Sequence, residues 1–268
     1  MSHDILILNP GSTSTKAAVY RDERPLMIRS MVHTNPELAP YPALNDQLDY
    51  RVGMVRSWLA LEGYELAQLS AVVGRGGIIP NIVSGGYLVD EALADCLLHH
   101  TVFDHASNLG GLMAREFALP LDIPAYIYDA VTSDELLPEA RVTGFKEVTR
   151  TSFCHVLNAR ATGHKYAQAM GRRYEDMNLV VAHLGGGISV SAHSHGRIID
   201  SVSDDAGPFS PDRGGSLNML YVLDMCYSGK YTKAEMLRKM RGEGGMSALL
   251  GTHDCQEVER RIAQGDEW

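Results

Sequence analysis

The sequence predicts an α/β fold, because short apolar runs that end at glycine-rich turns alternate with longer segments whose apolar residues recur at helical spacing. A strand–glycine turn–strand unit lies near residues 5–20, and a similar unit lies near residues 179–192. Two related halves would explain this recurrence. The predicted order is strands in antiparallel hairpins first and helices after them.

The first half begins with the apolar run DILIL, which predicts a buried strand that ends at the turn Asn9-Pro10-Gly11. The predicted strands of this half are Asp4–Leu8, Ala17–Tyr20, Met27–His33, Ala71–Val73 and Ala125–Tyr128. Apolar residues at helical spacing predict helices at Asn45–Glu62 and Ala106–Ala118.

The second half shows the same alternation of strands and helices. Its predicted strands are Asn178–Leu184, Ile188–Ala192 and Arg197–Ser201. Its predicted helices are Ser152–Met170, Ser216–Tyr227 and Thr232–Met240.

The composition is ordinary for a globular protein, with 45% hydrophobic and 21% charged residues among 268. The formal net charge of −9 disfavours general binding to nucleic acid or to anionic membranes. No run approaches the roughly 18 apolar residues of a membrane span, and the N-terminus lacks the pattern of a secretory signal. The four cysteines are widely spaced without a CxxC pair, so we expect reduced thiols and a cytoplasmic protein.

The sharpest chemical signal is the segment Asn9–Lys16, which reads NPGSTSTK. It combines a tight turn with an amide, several hydroxyls and a lysine. Such a turn can cradle phosphate oxygens with its backbone N–H groups while Lys16 supplies charge. The spacing is neither that of a Walker A loop nor that of a Rossmann fingerprint. A polar hairpin turn without a ligand is the alternative, since Ser and Thr are common in turns.

Two arginines stand beside glycines, Arg75 within Gly74–Gly77 and Arg213 within the polar loop Ser203–Asn218. The guanidinium fork suits a carboxylate or a phosphoryl group, and glycine lets a ligand approach closely. The turn Gly185-Gly186-Gly187 could wrap a phosphate or a nucleotide in the same way. The alternatives are an exposed loop arginine at Arg75 and a flexible hairpin turn at the three glycines.

Acidic residues and a histidine complete the set of candidates. Asp129 ends an apolar strand, where a carboxylate is well placed for Mg²⁺, although it could instead cap a helix. Asp204, Asp205 and Asp212 could meet a metal, but such residues are more often solvated turn residues. His155 lies near the start of a predicted helix, where a packed core histidine is the alternative. Together, these candidates are the equipment for phosphoryl transfer, in which positioning and charge neutralisation supply most of the catalysis.

Several of these segments, in this order, resemble the butyrate kinases of the acetate kinase family, within the acetate and sugar kinase/Hsp70/actin superfamily. The match runs from Ile5 to at least Gly251, and its motifs are NPGSTSTK, VVGRGG, HASNLGG, YDAV, SFCHVLNARA, HLGGGISV and DRGGSLN. NPG rather than NAG, and GRGG without an intervening His-Gly pattern, favour butyrate kinase over acetate kinase.

The resemblance implies an α/β fold of duplicated ribonuclease H-like (actin-like ATPase) domains, with mixed sheets flanked by helices. It also implies that the active site lies in the cleft between the two domains. We expect an N-terminal domain at 1–130 and a C-terminal domain at 131–268 that is incomplete before its adenosine-binding end. The implied reaction converts ATP and a short-chain carboxylate, butyrate, into ADP and an acyl phosphate with Mg²⁺. The resemblance also implies a homodimer or a higher homo-oligomer.

Carried over motif by motif, the resemblance implies a role for each candidate residue. Arg75 and Arg213 would hold the substrate carboxylate and the moving phosphoryl group, and Asp129 would organise Mg²⁺ or its waters. His155 and His183 would stabilise charge on the transferred group, with His183 counted in the nucleotide site. Asn9 would also help to place the metal. The residues that would contact nucleotide phosphates are Asn9, Ser12, Ser14, Lys16, Gly185, Gly186 and Gly187.

Two alternatives stay open. One is a kinase for acetate, propionate or a branched-chain acid, since one methylene is worth only about 1–3 kcal/mol of discrimination. The other is a non-catalytic nucleotide-binding fragment, because family members continue beyond the position that matches Trp268. We therefore expect the second domain to expose apolar surface.

Overall fold

Two β-sheets, one in each of two units, organise residues 2–267, the part of the chain that the computed structural model describes. The units are Met1–Asp134 and Glu135–Trp268. The first unit holds a mixed six-stranded sheet, and the second holds an antiparallel three-stranded sheet. None of the helices within residues 2–267 has the length and apolarity needed to cross a membrane.

The sheet of the first unit has the strand order β3-β2-β1-β4-β6-β5. Strands β1, β4 and β6 are parallel to one another, and the remaining pairs are antiparallel. The strands are β1 (Asp4–Pro10), β2 (Ser14–Arg21), β3 (Arg24–Val32), β4 (Leu69–Arg75), β5 (Gly86–Leu88) and β6 (Ala125–Tyr128). The helices are α1 (Asn35–Leu38), α2 (Leu48–Leu61), α3 (Glu91–His99) and α4 (Asn108–Ala118).

The core of the first unit lies on one face of this sheet. Side chains alternate between the two faces of a strand, so Leu6 and Leu8 of β1 are fully buried while Ile7 is 37% exposed. Helix α4 packs so closely on β4 that a Cβ atom at Gly74 would lie 2.0 Å from the carbonyl oxygen of Gly110. The first turns of α4 therefore lie directly against the end of β4.

The second unit has the strand order β7-β8-β9. Its strands are β7 (Asn178–Leu184), β8 (Ile188–Ser194) and β9 (Arg197–Val202). Its helices are α5 (Val156–Ala169), α6 (Met219–Tyr227), α7 (Lys233–Met240), α8 (Gly245–Leu250) and α9 (Cys255–Ala263). Apolar surface is exposed on this unit, as expected, with Val180 and Leu184 on the open face of β7 at 76% and 77% exposure.

Every strand that the sequence predicts is present, and both predicted hairpins form between antiparallel neighbours, β1–β2 and β7–β8. The prediction of a helix from Ser152 is wrong at its start, because the helix begins at Val156. Residues 152–155 are instead irregular chain, and the backbone N–H of His155 donates to Ser189 Oγ on β8 at 3.4 Å. The predicted helix at Ser216 likewise begins later, after the cap residue Asn218.

Candidate active site

The segment Asn9–Lys16 forms the β1–β2 hairpin. Asn9 lies opposite Lys16 in the antiparallel register, and the N–H of Gly11 closes the turn on the carbonyl oxygen of Ser14 at 2.7 Å. Within residues 2–267 the backbone N–H groups of Ser12 and Thr13 donate to no protein acceptor. Adjacent unbonded N–H groups in a turn make a concavity that binds anions.

Three predicted site residues share one face of the first sheet. The parallel register pairs Leu8 with Gly74, so the next residue of each strand, Asn9 and Arg75, lies on the face opposite the core. Lys16, the partner of Asn9, lies on the same face and is exposed. The structure thus brings an amide and two cations together beside the turn.

Arg75 is half-buried at the end of β4, and burial lowers the pKa of its guanidinium. Among the residues that the structure describes, no partner forms a hydrogen bond or an ion pair with this side chain. Partial burial of a cation without a counter-charge costs free energy, unless a bound anion supplies that charge. The environment of Arg75 therefore favours an anionic ligand over the alternative of an ordinary loop arginine.

Asp129 follows β6, the strand next to β4, and is 98% buried. Its backbone has a φ of +43°, and its Oδ1 accepts a hydrogen bond from Gly85 N–H at 2.9 Å. The alternative of a helix cap is wrong, since irregular chain follows this residue. Within residues 2–267 no group of three or more His, Cys, Asp and Glu side chains could hold a metal by itself.

His155 and His183, in the second unit, form a stacked pair of imidazole rings. Their centroids are 3.7 Å apart with an interplanar angle of 8°. Asn158 Nδ2 donates to His183 Nδ1 at 2.8 Å, which assigns the hydrogen of the neutral ring to Nε2. His155 Nδ1 lies 2.8 Å from Ser189 Oγ. Each ring is thus anchored through Nδ1, and both are half-buried.

The turn Gly185-Gly186-Gly187 lies against two carboxylates of the polar loop. A Cβ atom at Gly187 would meet Asp204 Oδ2 at 2.6 Å, and one at Gly186 would meet Asp212 Oδ2 at 3.0 Å. The backbone N–H of Asp212 also donates to the carbonyl oxygen of Gly186 at 3.2 Å. The close approach of these side chains explains why glycine is needed at both positions.

The carboxylates of the polar loop bind arginines. Arg213 Nε donates to Asp204 at 3.1 Å, and its Nη1 donates to Asp212 at 2.6 Å. Asp205 forms an ion pair with Arg241. All three aspartates therefore form ion pairs with arginines. Neither interpretation from the sequence, metal ligands or solvated turn residues, predicted this pairing.

The role of Arg51 was not predicted from the sequence. This residue is fully buried on α2 and binds the Asn9–Lys16 hairpin. A signal was present, because Arg51 lies at helical spacing with Val55 and Trp58 on the buried face of the helix. The ion pairs of Asp204 and Asp212 were not predicted either. Nothing in the sequence marks which carboxylate of the loop meets which arginine.

The chain is similar over its whole length to a protein named "Probable butyrate kinase" from Listeria monocytogenes. The two are 45% identical over 269 residues, which cover 100% of this chain and 76% of that protein. The chain belongs to the acetokinase family. A "Probable butyrate kinase 2" from Caldanaerobacter subterraneus is 44% identical over 263 residues, or 98% of this chain and 74% of that protein.

The family's own sequence model, described as "Acetokinase family", matches residues 148–268. Solved acetokinase structures share the fold at lower identity. Acetate kinase from Porphyromonas gingivalis has a TM-score of 0.77 and 18% identity over 99% of this chain and 74% of that chain. A propionate kinase from Francisella tularensis has a TM-score of 0.72 and 16% identity over 98% and 74%. These likenesses confirm the predicted fold class, an α/β actin-like ATPase fold with sheets flanked by helices. The expectation of mixed sheets holds for the first unit only, because all strand pairs of the second sheet are antiparallel.

Proposed function

We propose that the chain is a butyrate kinase, which transfers the γ-phosphoryl group of ATP to the carboxylate of butanoate and produces butanoyl phosphate and ADP. The observation that carries the proposal is the face on which Lys16 and Arg75 lie beside the hairpin turn. Within residues 2–267, the side chain of Arg75 has no partner and two N–H groups of the turn are unbonded. The whole-chain similarity to proteins named probable butyrate kinases supports the acyl chain length.

The chemistry of the reaction suits this arrangement. A carboxylic acid with a pKa of about 4 is ionised at neutral pH, so the nucleophile needs no strong general base. A carboxylate oxygen forms a bond to the γ-phosphorus while the bond from that phosphorus to the bridging oxygen breaks, and ADP leaves. The main barrier is repulsion between two anions, which cations such as Arg75 and Lys16 relieve.

The donors of the first unit fit the phosphate groups of ATP. The N–H groups of Ser12 and Thr13 and the ammonium of Lys16 would contact phosphate oxygens, together with the hydroxyl of Ser14. Asn9 and Asp129 offer oxygen ligands of the kind that Mg²⁺ uses alongside substrate phosphates. Bound there, Mg²⁺ would neutralise phosphate charge.

The second unit has its own donors for phosphate oxygens. The stacked rings of His155 and His183 are held through Nδ1, and the neutral ring of His183 carries its N–H at Nε2. Arg213 uses Nε and Nη1 for its two aspartates, so its Nη2 would hold the moving phosphoryl group. The turn Gly185-Gly186-Gly187 would line nucleotide phosphates.

The test measures acyl phosphate formation, trapped as the hydroxamate, and ADP release with acetate, propionate, butyrate and isobutyrate side by side. We expect the highest kcat/KM with butyrate. A higher kcat/KM with acetate or propionate would mean that the chain catalyses the same reaction on a different carboxylic acid. ATP binding without any acyl phosphate would instead favour the non-catalytic nucleotide-binding alternative.

Three further expectations stay predictions. The homodimer or higher homo-oligomer can be checked by analytical ultracentrifugation. The requirement for Mg²⁺ can be checked by assay with and without a chelator, and the cytoplasmic location by cell fractionation.

A further inference from the structure

Arg51 is a fully buried cation, and its hydrogen-bond partners within residues 2–267 are all neutral oxygens. It lies in the first turn of α2, directly behind the hairpin turn. Its guanidinium donates hydrogen bonds to Gln47 Oε1 (2.8 and 3.1 Å), Gly11 O (2.9 Å), Ser12 O (3.2 Å), Ser14 O (3.3 Å) and Thr15 Oγ1 (2.9 Å). A single side chain thus holds most of the turn's carbonyl oxygens.

These bonds fix which way the peptide groups of the turn face. The carbonyl oxygen of Thr13, the one that Arg51 does not reach, accepts from His33 N–H at 2.8 Å. All four carbonyls of residues 11–14 are therefore bound on the protein side. A peptide group points its N–H away from its C=O, which agrees with the unbonded N–H groups of Ser12 and Thr13.

Stability alone does not explain an arginine at this position. Taking a guanidinium out of water without a carboxylate partner is costly, and an apolar residue on the buried face of α2 would avoid that cost. Burial lowers the pKa of Arg51, as the same cost requires. What the arginine provides, and an apolar residue cannot, is a set of donors that turns several carbonyls inward.

We propose that Arg51 is a positioning residue that holds residues 11–15 in the conformation that binds phosphate. It touches the turn from behind and acts through it, not on the substrate. The proposal rests on the proposed function for its kinetic test, because the turn is assigned there to the phosphates of ATP.

Further hydrogen bonds through Thr15 and His33 hold Arg51 and the turn together. The hydroxyl of Thr15 accepts from Arg51 at 2.9 Å and forms a second hydrogen bond, of 2.8 Å, with His33 Nε2. The other ring nitrogen of His33 lies 3.4 Å from the hydroxyl of Tyr50. Thr15 and His33 are themselves buried, so these contacts are shielded from water.

The test compares Arg51→Met with Arg56→Met. Arg56 is a matched control, because it lies on the same helix, donates to the carbonyl oxygen of Glu116 at 2.9 Å and packs over Phe117. Neither of these contacts of Arg56 involves residues 11–15. Both variants lose an arginine that helps to pack α2, and only one loses the donors to residues 11–15.

We expect Arg51→Met to lower kcat by about 100-fold, the usual cost of losing an aligned donor to a developing oxyanion, with the KM for butyrate unchanged. Arg56→Met should keep the wild-type kcat. Equal kcat values for the two folded variants would overturn the proposal. If Arg51→Met does not fold, Arg51→Lys decides, since it keeps the charge but has fewer donors, and wild-type kinetics in that variant would equally overturn it.

An assay without butyrate separates this proposal from the proposed function. ATP is titrated into isotope-labelled protein, and the amide resonances of Ser12 and Thr13 are followed. ATP-dependent shifts that disappear in Arg51→Met would support the positioning role even if the wild type made no acyl phosphate. The same shifts in Arg51→Met and in the wild type, or their absence from both, would overturn it.

Discussion

The carboxylate of Asp204 accepts a hydrogen bond from Arg213 Nε at 3.1 Å, and only 7% of Asp204 is exposed. Asp212 binds the Nη1 of the same guanidinium. Two of the three nitrogens of Arg213 are therefore fixed by carboxylates, while Nη2 has no bonded partner within residues 2–267. An arginine held in this way is oriented before a ligand arrives, which is the condition for electrostatic stabilisation without reorganisation.

We predict that Asp204→Asn lowers kcat while the chain stays folded. Asparagine keeps the shape and an acceptor oxygen but loses the charge that fixes the guanidinium, so Arg213 becomes less well oriented. The expected loss is about 10-fold, less than the 100-fold or more expected for Arg213→Ala. Steady-state kinetics and circular dichroism measure the two effects.

The control for these two variants is Arg238→Ala on α7, whose ion pair with Glu243 is exposed. Exposed pairs of this kind contribute little, so its kinetics should match the wild type. Wild-type kcat in a folded Arg213→Ala variant would remove this arginine from the reaction.

Arg75→Ala should also lower kcat by about 100-fold or more, because the reaction loses a cation that relieves the repulsion between the two anions. The free energy of unfolding should change little, because no group of the described chain pairs with this guanidinium and would be left unpaired. Arg24→Ala on the edge strand β3, an exposed arginine of the same sheet, is the matched control. A large fall in stability with unchanged kcat would make Arg75 a structural residue.

The close packing of α4 on β4 gives a test that concerns stability. A Cβ atom at Gly110 would lie 2.4 Å from the carbonyl oxygen of Arg75 and 2.9 Å from its nitrogen, so backbone must move to accept it. Gly110→Ala should therefore destabilise the first unit by about 3 kcal/mol or more, measured by urea unfolding.

Gly53→Ala is the opposite case within the same unit. A Cβ atom at this exposed position of α2 would meet nothing within 4 Å. Alanine in a helix interior is favoured over glycine by about 1 kcal/mol, so this variant should be more stable than the wild type. Equal effects of the two substitutions would contradict the close approach of α4 to β4.

Every strand of residues 2–267 except the three-residue β5 was predicted from the sequence, because these strands are apolar runs bounded by turn residues, as NLVVAHL before Gly185 shows. The start of α5 was not, since residues 152–155 have a pattern that fits a helix equally well. Their path is decided by burial of Cys154 and by the contact of His155 with β8. Contacts with distant parts of the chain do not appear in a local pattern.

The same division applies to the candidate site. Asn9 and Lys16 belong to one hairpin, so their proximity follows from the motif itself. The burial of Arg51 behind the same hairpin depends on how α2 packs, across 40 positions of sequence. The glycines at 186 and 187 were visible as a turn, but the carboxylates that they accommodate come from a later loop.

A final prediction concerns His193, which is 98% buried between Tyr174 and Ser191. Burial, with a smaller contribution from the charge of Arg160, lowers the pKa of His193 from 6.5 to about 4. Between these two values the unfolded chain binds a proton that the folded chain does not, so the free energy of unfolding falls as the pH falls. The second unit should lose stability on acidification from pH 6.5 towards pH 4.

His193→Gln isolates this effect, because glutamine does not titrate. At pH 7.5 the variant should be less stable than the wild type, since it loses buried hydrogen bonds. At pH 5 the difference in urea midpoints should be smaller, because only the wild type loses stability through protonation of His193. The pKa of His33 is also lowered, chiefly by burial, but this residue is present in both proteins and its contribution cancels in the difference. A difference that stays constant between the two pH values would show that His193 does not titrate in this range.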